Sequence, residues 1–359
     1  MKRRRRTIKT IAVIVGLDLT GDALIKLPFL RALRAGFPAA EISWLTAQGP
    51  TAYAGVLREA ARPYLDHIWE QPAWLPTAAR PRPDGQAPHF DLVIDTRGRW
   101  REAWRARLVP HDLLIAPALR YLLSGRRPAR FWRKPVHIHD RLLELVQLAA
   151  GYRPEVSGGI AAPDAACAKA AAILPPGAHY IGLAPGAGNS AKIWPRKKFI
   201  ELAAIQVQAG CVPVFLLGPQ EAGWLPELRR AVPEALFPLQ HPVWGQNPSL
   251  DATLAAGELL ACAVANDSGT SHMLAAVDCP LVSLFGPTSA LKLAPRVSRS
   301  RIVAAQQFGR SDMDAIPVAN VAQAVAEILA QAIPSWNRSG DSMKDVNPEI
   351  SACQSTMSC

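Results

Sequence analysis

The sequence predicts an α/β protein whose parallel sheets are covered by helices on both faces. Short runs rich in Val, Ile and Leu recur along the chain, and such near-continuous hydrophobicity is typical of buried parallel strands. Segments with helical periodicity lie between several of these runs. The 359 residues are 49% hydrophobic and 19% charged, which excludes a generally disordered chain. Because this length exceeds one hydrophobic core, we expect two domains.

Seven apolar runs are predicted as strands, at residues 11–15, 41–46, 91–95, 180–184, 212–217, 263–266 and 281–285. A helix is predicted after the first run, because Ala23, Leu27 and Leu30 are spaced three or four residues apart. Pro28 is expected to kink that helix or to lie in its first turns. Two further helices are predicted at 198–208, with Gly210 as the C-terminal cap, and at 250–263.

Two breaks in the strand–helix rhythm define the predicted organisation. The Pro-rich stretch 71–89 predicts a loop or insertion. Glycines and prolines cluster at 151–163, and the alternation restarts near residue 180, so we predict an N-terminal domain at 1–160 and a C-terminal domain at 161–334. The polar, Ser-rich stretch 335–359 is predicted to be a flexible tail.

Positive charge is concentrated in the first 134 residues. The chain carries 40 Lys and Arg against 29 Asp and Glu, and residues 2–6 are all basic. Residues 97–134 contain eleven Lys or Arg but only Glu102 and Asp112 as acids. Such a field attracts nucleic acid, anionic lipid or a phosphorylated substrate. Three tryptophans interleaved with these arginines either contact lipid or pack within the fold: Trp100, Trp104 and Trp132.

The loop after the first predicted strand carries Gly21 and Asp22 at the start of a helix. Glycine allows a tight turn and a close approach of the backbone to a ligand. Asp22 is either a carboxylate that caps the helix or a general base for a hydroxyl group. Asp18 adds a second carboxylate that could share or replace that role. The loop lacks the GxGxxG pattern of dinucleotide-binding proteins.

A second loop, at 184–195, combines small residues with a hydroxyl and a cation. Gly186 and Gly188 leave backbone amides uncovered, and Ser190 and Lys192 add a donor and a positive charge. Such a loop can hold a phosphate or diphosphate. The alternative is an ordinary glycine-rich connection with a surface lysine. The Walker order of residues is absent, so a nucleotide hydrolase is not supported.

A third motif follows the strand predicted at 263–266. Asp267, Ser268 and Gly269 open an Ala-rich helix whose first amides form an anion site. His272 lies on its first turn, either as a ligand-binding residue or as a structural one. All three motifs lie at the carboxyl ends of strands, where open α/β sheets bind their ligands.

Five motifs, in this order and spacing, resemble glycosyltransferase family 9, the ADP-heptose:lipopolysaccharide heptosyltransferases. They are Gly21-Asp22, Pro185-Gly186-Ala187 with Lys192-Ile193-Trp194-Pro195, Leu217-Gly218-Pro219 with Glu221, Asn266-Asp267-Ser268-Gly269 with His272, and Leu284-Phe285-Gly286-Pro287-Thr288. The resemblance implies a GT-B fold, in which two Rossmann-like domains with parallel sheets face a central cleft. It also implies an inverting transfer of heptose from ADP-heptose to a lipopolysaccharide core acceptor.

The resemblance implies a role for each candidate residue. Asp22 is the expected catalytic base, and the second domain is expected to hold the nucleotide sugar. The donor-binding candidates are Gly186, Gly188, Ser190, Lys192, Glu221, Asp267, Ser268, Gly269 and His272. The acceptor-binding candidates in the basic first domain are Gly21, Arg97, Arg126 and Arg130. Neither a metal nor a resident cofactor is expected, because no acidic DxD-type pair accompanies the diphosphate loop.

The expected location is the cytoplasm, peripheral at the inner face of the inner membrane. Six cysteines without a CxxC pair favour reduced thiols, and no apolar run approaches the ~20 residues of a membrane helix. The expected partners are a nucleotide sugar, an anionic core acceptor and anionic membrane, and not nucleic acid. Two alternatives remain open: another nucleotide-sugar enzyme of this fold, such as an epimerase, and a non-catalytic basic protein that binds anionic membrane.

Overall fold

The structure, a computed structural model, describes residues 7–82, 84–154, 159–245 and 250–331. Two five-stranded sheets, parallel throughout, form two α/β domains. The predicted fold, two Rossmann-like domains with parallel sheets, is confirmed. The basic residues 2–6 and the predicted tail at 335–359 lie outside the described residues.

Ten strands and eleven α-helices are defined in the described residues. The strands are β1 (Thr10–Val15), β2 (Glu41–Thr46), β3 (His67–Glu70), β4 (Phe90–Asp95), β5 (His111–Ile115), β6 (Tyr180–Ala184), β7 (Val212–Phe215), β8 (Cys262–Asn266), β9 (Leu281–Phe285) and β10 (Ser300–Ala304). The helices are α1 (Thr20–Gly36), α2 (Arg58–Ala61), α3 (Trp100–Ala106), α4 (Ile138–Ala150), α5 (Asp164–Ile173), α6 (Arg196–Gln208), α7 (Leu225–Ala231), α8 (Leu250–Glu258), α9 (Gly269–Ala276), α10 (Ala290–Leu293) and α11 (Val318–Ala330).

The strand order places one crevice in each sheet. The first sheet has the order β3-β2-β1-β4-β5 and the second has the order β10-β9-β8-β6-β7. The direction of winding therefore reverses between β1 and β4 in the first sheet and between β6 and β8 in the second. Ligands bind outside the carboxyl ends of the strands at such reversals. The loops that follow β1, β6 and β8 carry all three sequence motifs.

Strand β1 is buried on both faces because helices cover both sides of the first sheet. Val13 and Val15 pack with α1 and α4, whereas Ala12 and Ile14 pack with α3 on the opposite face. Alternate side chains of a strand point to opposite faces, which explains this division. Helix α1 contains Pro28 and still continues to Gly36.

The connection between the domains lies directly against the second domain. The Ile160 amide donates to the Ala276 carbonyl over 2.7 Å, and the Ala162 amide donates to Glu258 over 2.7 Å. A Cβ atom on Gly159 would lie 2.4 Å from the Ala276 oxygen, so only glycine fits there. The boundary predicted at 160/161 falls in this extended connection.

Three strands were not predicted from the sequence: β3, β5 and β10. Each of them lies at the edge of its sheet. An edge strand is exposed along one side, so its sequence need not be a continuous apolar run. The helix predicted at 250–263 ends earlier, at Glu258, because Cys262 already begins β8. Described residues of the Pro-rich stretch 71–89 form neither a helix nor a strand, as predicted.

Candidate active site between the two domains

Asp22 lies in the first turn of α1, where its side chain is exposed. The residue preceding the helix, Leu19, makes no side-chain capping bond, and Asp22 is the acidic residue of the first turn. Its side chain is exposed and forms no ion pair within the described residues. Asp22 is therefore not the helix cap, and its carboxylate is available to a ligand.

Asp18 has a structural environment. It is completely buried, and its two oxygens accept hydrogen bonds from three side chains. The donors are Lys26 Nζ at 2.7 Å, Thr51 Oγ1 at 2.6 Å and Trp44 Nε1 at 3.0 Å. Lys26 also donates to the Asp22 carbonyl at 3.1 Å. Asp18 thus holds the loop that presents Asp22 and has no free face for a substrate hydroxyl.

Lys192 and Asp267 join the loop after β6 to the loop after β8 in the second domain. Lys192 Nζ donates to Asp267 Oδ2 over 2.8 Å, and Thr288 Oγ1 donates to the same oxygen over 2.7 Å. Asp267 is 6% exposed, whereas the Lys192 side chain is 27% exposed. The carboxylate therefore orients a cation that remains accessible at the carboxyl edge of the sheet. The sequence predicted no separate role for Thr288, which is the last residue of the motif at 284–288.

Asn266, the last residue of β8, anchors the loop at 185–195. Its side-chain amide donates to the Pro185 carbonyl over 2.7 Å, and its oxygen accepts from the Trp194 amide over 3.2 Å. Both ends of the loop are thereby fixed, while Gly188 and Ser190 between them are exposed. The loop at 185–195 is therefore anchored at both ends and presents the exposed hydroxyl of Ser190 between them.

The amino-terminal turn of α9 closes the gap from the other side. The Ser268 hydroxyl, just before this helix, is buried and has no hydrogen-bond partner within the described residues. A Cβ atom on Gly21 would lie 3.5 Å from the Gly269 Cα atom, so the first turns of α1 and α9 are in contact. The free amides of α9 and an unpaired hydroxyl thus meet the helix that carries Asp22.

Glu221 lies buried beneath the glycines of two loops. A Cβ atom on Gly186 would lie 2.7 Å from its Oε2 atom, and one on Gly218 would lie 2.8 Å from that atom. Burial raises the pKa of the Glu221 carboxyl above its ordinary value. Glu221 and Gly186, two of the residues predicted to bind the donor, therefore lie next to each other.

His272 belongs to a cluster of three histidines that the sequence analysis missed in part. His137 and His139 at the start of α4 form an edge-on ring pair, with ring centroids 5.0 Å apart, and both lie near His272. Burial lowers the pKa of His272 to about 4, with Lys192 and His137 adding to the effect and Asp267 opposing it. His272 is therefore neutral at pH 7. The His-x-His pattern at 137–139 was the available sequence signal.

A cross-domain ion pair borders this cluster. Arg296 of the second domain donates to both oxygens of Asp140 in α4, at 3.0 and 2.6 Å. These bonds hold the pKa of Asp140 down at about 2. The His137 Nε2 atom lies 2.9 Å from the Ala294 carbonyl, an acceptor only, so this nitrogen donates and carries the proton. The domains are thus joined by polar contacts beside the candidate site.

The sequence of this chain matches a known protein family. The sequence profile of the family described as "Glycosyltransferase family 9 (heptosyltransferase)" matches residues 86–315, more than half of the chain. The chain belongs to glycosyltransferase family 9. All nine donor-site candidates lie inside the matched range, whereas Asp22 precedes it.

Relatives of this family 9 chain cover most of its length. Lipopolysaccharide heptosyltransferase 1 of Pseudomonas aeruginosa is 28% identical over 300 residues, covering 77% of this chain and 79% of that protein. The crystal structure of a family 9 glycosyltransferase from Veillonella parvula has a TM-score of 0.69 at 18% identity and covers 90% and 98% of the two chains. E. coli heptosyltransferase WaaC with ADP has a TM-score of 0.63 at 20% identity and covers 89% and 99%. The two structures share the GT-B fold with this chain.

The three arginines predicted to bind the acceptor have different environments in this family 9 transferase. The Arg97 guanidinium follows β4 and is held by Asp95 at 2.7 Å and by Glu102 at 2.9 Å. Arg126 donates to the Leu148 and Ala149 carbonyls at the end of α4. Helix α4 ends beside Gly36, roughly 20 Å along α1 from Asp22, so Arg126 does not join the site.

Arg130 is exposed, with its guanidinium carbon 5.9 Å from the centre of the Phe131 ring. Of the three arginines, only Arg130 thus presents its charge freely on the surface, whereas Arg97 and Arg126 stabilise the first domain.

Two kinds of feature are absent from the described residues of this family 9 transferase. No three of its His, Cys, Asp and Glu side chains cluster as the ligands of a metal ion would. None of its helices combines the length and the apolar character that crossing a bilayer requires.

Proposed function

We propose that this chain transfers a heptose from ADP-heptose to a hydroxyl group of a lipopolysaccharide core acceptor, with inversion at the anomeric carbon. The observation that carries the proposal is the contact between Gly21 and Gly269. It brings Asp22, an exposed carboxylate without an ion-pair partner among the described residues, to the amino-terminal turn of α9, beside the Lys192–Asp267 pair. A base and an anion site thus face one gap from two domains.

Asp22 is the proposed base. Its carboxylate accepts the proton of the acceptor hydroxyl as the oxygen attacks the anomeric carbon from the face opposite the diphosphate. The bond from that carbon to the diphosphate oxygen breaks, and ADP leaves with the bonding electron pair. One displacement inverts the anomeric carbon. The pairing of Asp18 with Lys26, Trp44 and Thr51 supports the assignment of this role to Asp22.

The second domain stabilises the charge that develops on the departing ADP. Lys192, the hydroxyls of Ser190 and Ser268 and the free amides of α9 are the proposed contacts of the diphosphate. Preorganised donors aimed at developing charge contribute most when they need no rearrangement, and Asp267 with Thr288 already holds Lys192 in place. Because Lys192 and the helix terminus supply positive charge, the proposal includes neither a metal nor another cofactor.

Glu221 and neutral His272 complete the proposed donor site. The buried Glu221 carboxylate lies on the far side of Gly186, where it would accept hydrogen bonds from the ribose or the adenine. His272, one turn into α9, would contact the diphosphate or the heptose as a neutral donor. Gly21 and Arg130 remain the proposed acceptor contacts.

We also propose that the protein works in the cytoplasm, peripherally at the inner face of the inner membrane, without nucleic acid as a partner. The support is the basic first domain, because a core acceptor is phosphorylated, carries carboxylates and is anchored in lipid. The second domain and its loops carry little of the excess charge.

The test is transfer of radiolabelled heptose from ADP-heptose to a truncated lipopolysaccharide acceptor. We expect Asp22→Asn to lower kcat by about 10² to 10⁴-fold, because it removes the proton acceptor. Binding of ADP-heptose, measured by calorimetry, should remain within about twofold, because Asp22 lies on the opposite domain.

Glu59→Gln is the matched control, because Glu59 is an exposed carboxylate of the same domain, paired only with its helical neighbour Arg62. It should transfer heptose at the wild-type rate. Absence of turnover in the folded wild-type protein contradicts the proposed reaction. Full activity of Asp22→Asn contradicts the assignment of the base while leaving the reaction in place.

A further inference from the structure

Large apolar side chains are exposed together on one surface of the first domain. Each is at least half exposed, and they come from α3, the turn after β5 and the segment before α4: Trp100, Trp104, Leu108, Leu119, Leu122 and Phe131. Single exposed apolar residues are ordinary, but a contiguous group marks an interaction site. We call these six residues the apolar surface.

Helix α3 has two apolar faces, and only one is covered. Ala103 and Ala106 are buried against the first sheet. Trp100 and Trp104, spaced four residues apart, lie on the outer face, and each is 55% exposed. Leu108 continues the stripe just after the helix, at 53% exposure. Nothing in the core of the domain requires an apolar stripe on this outer face.

The neighbouring turn is held in a strained conformation that exposes further apolar groups. Leu119, Arg120 and Tyr121 have φ values of 50°, 55° and 64°, a left-handed run without glycine. The left-handed conformation is unfavourable for residues that carry a side chain, so the surroundings must enforce it. Tyr121 is buried and donates to Glu144 over 2.7 Å, which anchors the turn. Leu119 and Leu122 remain on the surface, beside α3.

Arginines border the apolar surface, and they contact its members. The Arg101 guanidinium carbon lies 5.3 Å from the Trp100 ring centre, and Arg127 donates to the Leu122 carbonyl over 2.9 Å. Arg120 donates to the Trp132 carbonyl over 3.3 Å, which brings the segment with Phe131 to the same surface. Trp132 itself packs against Tyr121 and binds Glu144, so it is a structural residue.

The α3 part of the apolar surface lies on the side of the first sheet that faces away from the second domain. Ala103 and Ala106 of α3 pack with Ala12 and Ile14, on the face of the sheet opposite the one covered by α1 and α4. The amino-terminal end of α3 follows β4, so Trp100 lies near the carboxyl edge that also carries the Asp22 loop. A partner on this surface therefore leaves the gap between the domains open at its side.

We propose that the apolar surface docks this protein on an anionic lipid bilayer. Indole rings insert at the interface between headgroups and hydrocarbon, and the bordering arginines attract anionic headgroups. Charge selects this occupant, because residues 97–134 hold eleven basic side chains and two acidic ones, of which Glu102 is paired with Arg97. The proposal rests on the lipid-borne acceptor of the proposed function and names the surface that reaches it.

The test is co-sedimentation of the full-length protein with vesicles of phosphatidylcholine alone and of phosphatidylcholine mixed with phosphatidylglycerol, without nucleotide sugar. The wild-type protein should bind the anionic vesicles, and the double variant Trp100→Ala/Trp104→Ala should bind them about tenfold more weakly or worse. Arg101→Gln should weaken binding at low salt and have little effect at high salt.

Tyr152→Ala is the matched control, because Tyr152 is equally exposed at 55% but lies beyond the end of α4. The Tyr152→Ala variant retains the basic residues 2–6, and we expect it to bind the anionic vesicles as the wild type does. Lack of wild-type binding to anionic vesicles overturns the proposal, and so does an equal loss in Tyr152→Ala. Wild-type binding to RNA that competes fully with the vesicles, with the double variant unaffected, also overturns it.

Transfer assays separate this inference from the proposed function. With a deacylated, water-soluble core acceptor, the double variant should match the wild type; with the acceptor embedded in anionic vesicles, its rate should fall by about the same factor as its vesicle binding. Vesicle binding without any transfer contradicts the proposed function and supports the docking surface. Transfer without vesicle binding supports the proposed function and contradicts the docking surface.

Discussion

Asp18 and Asp22 lie four positions apart in the sequence, yet burial gives the two carboxylates different roles. Asp18 is buried beneath the loop and accepts hydrogen bonds from three donors. Asp22 is exposed and has no ion-pair partner within the described residues. The sequence shows two acidic residues on one loop and has no means of ranking them. The partners that distinguish them, Trp44 and Thr51, come from distant positions in the chain.

We expect Asp18→Asn to lower the free energy of unfolding by about 3 kcal/mol, because it leaves Lys26 without its buried counter-charge and turns an amide toward a donor. Urea denaturation measures the change. Asp22→Asn is the control and should cost less than about 1 kcal/mol, the value of a charge in the first turn of a helix. Equal stability of the two variants contradicts the structural role of Asp18.

At the scale of elements, helix ends in contact determine where the domains meet. The first turn of α1 touches the first turn of α9, and the connection at Gly159 lies against the last residue of α9. The contact at Gly159 depends on glycine, since a Cβ atom there would lie 2.4 Å from the Ala276 oxygen, whereas a Cβ atom on Gly21 would lie at an ordinary contact distance of 3.5 Å from the Gly269 Cα atom. Helix α9 therefore serves as the element against which the first domain is placed.

We predict that Gly159→Ala lowers the free energy of unfolding by about 1 to 3 kcal/mol, because its Cβ atom would lie 2.4 Å from the Ala276 oxygen and no side chain can move to relieve the clash. Thermal denaturation measures the loss. Gly223→Ala is the matched control, because no atom lies within 4 Å of its Cβ position. If Gly159→Ala is as stable as Gly223→Ala, the connection at Gly159 does not stabilise the contact between the domains.

For the whole molecule, the histidine cluster between the domains makes stability depend on pH. His139 and His272 have pKa values lowered by burial to about 3 and about 4. Arg296 and Lys192 add positive charge around the cluster, while Asp140 and Asp267 oppose it. The unfolded chain takes up protons near pH 6.5, before the folded protein does, so acid favours unfolding.

We expect the free energy of unfolding to fall as the pH drops from about 6.5 toward 4, with His272 alone accounting for on the order of 3 kcal/mol. Urea denaturation between about pH 7 and pH 5 measures the slope. His272→Gln should flatten the slope, whereas His89→Gln, at an exposed position, should leave it unchanged. A slope that is the same in all three proteins contradicts the role of the cluster.

Much of this architecture was predictable from local sequence. Apolar runs and helical spacing identified the central strands and α1, because burial on both faces demands continuous hydrophobicity. Three motifs after strands predicted functional loops at the carboxyl edges of the two sheets, since parallel strands end at one edge of a sheet. The resemblance to a family then assigned roles that spacing alone left open.

Only the tertiary structure decided what depends on distant residues meeting. The edge strands β3, β5 and β10 form by pairing with a neighbour and need no apolar run of their own. Arg97 and Arg126 were assigned to the acceptor by charge, yet each is bound by carboxylates or carbonyls of its own domain. Likewise, the sequence places Trp100 and Trp132 alike among arginines, and only packing leaves the first exposed and the second bound to Glu144. Local pattern determines which segments are buried, whereas the partner of each polar or aromatic side chain is determined by the folded chain.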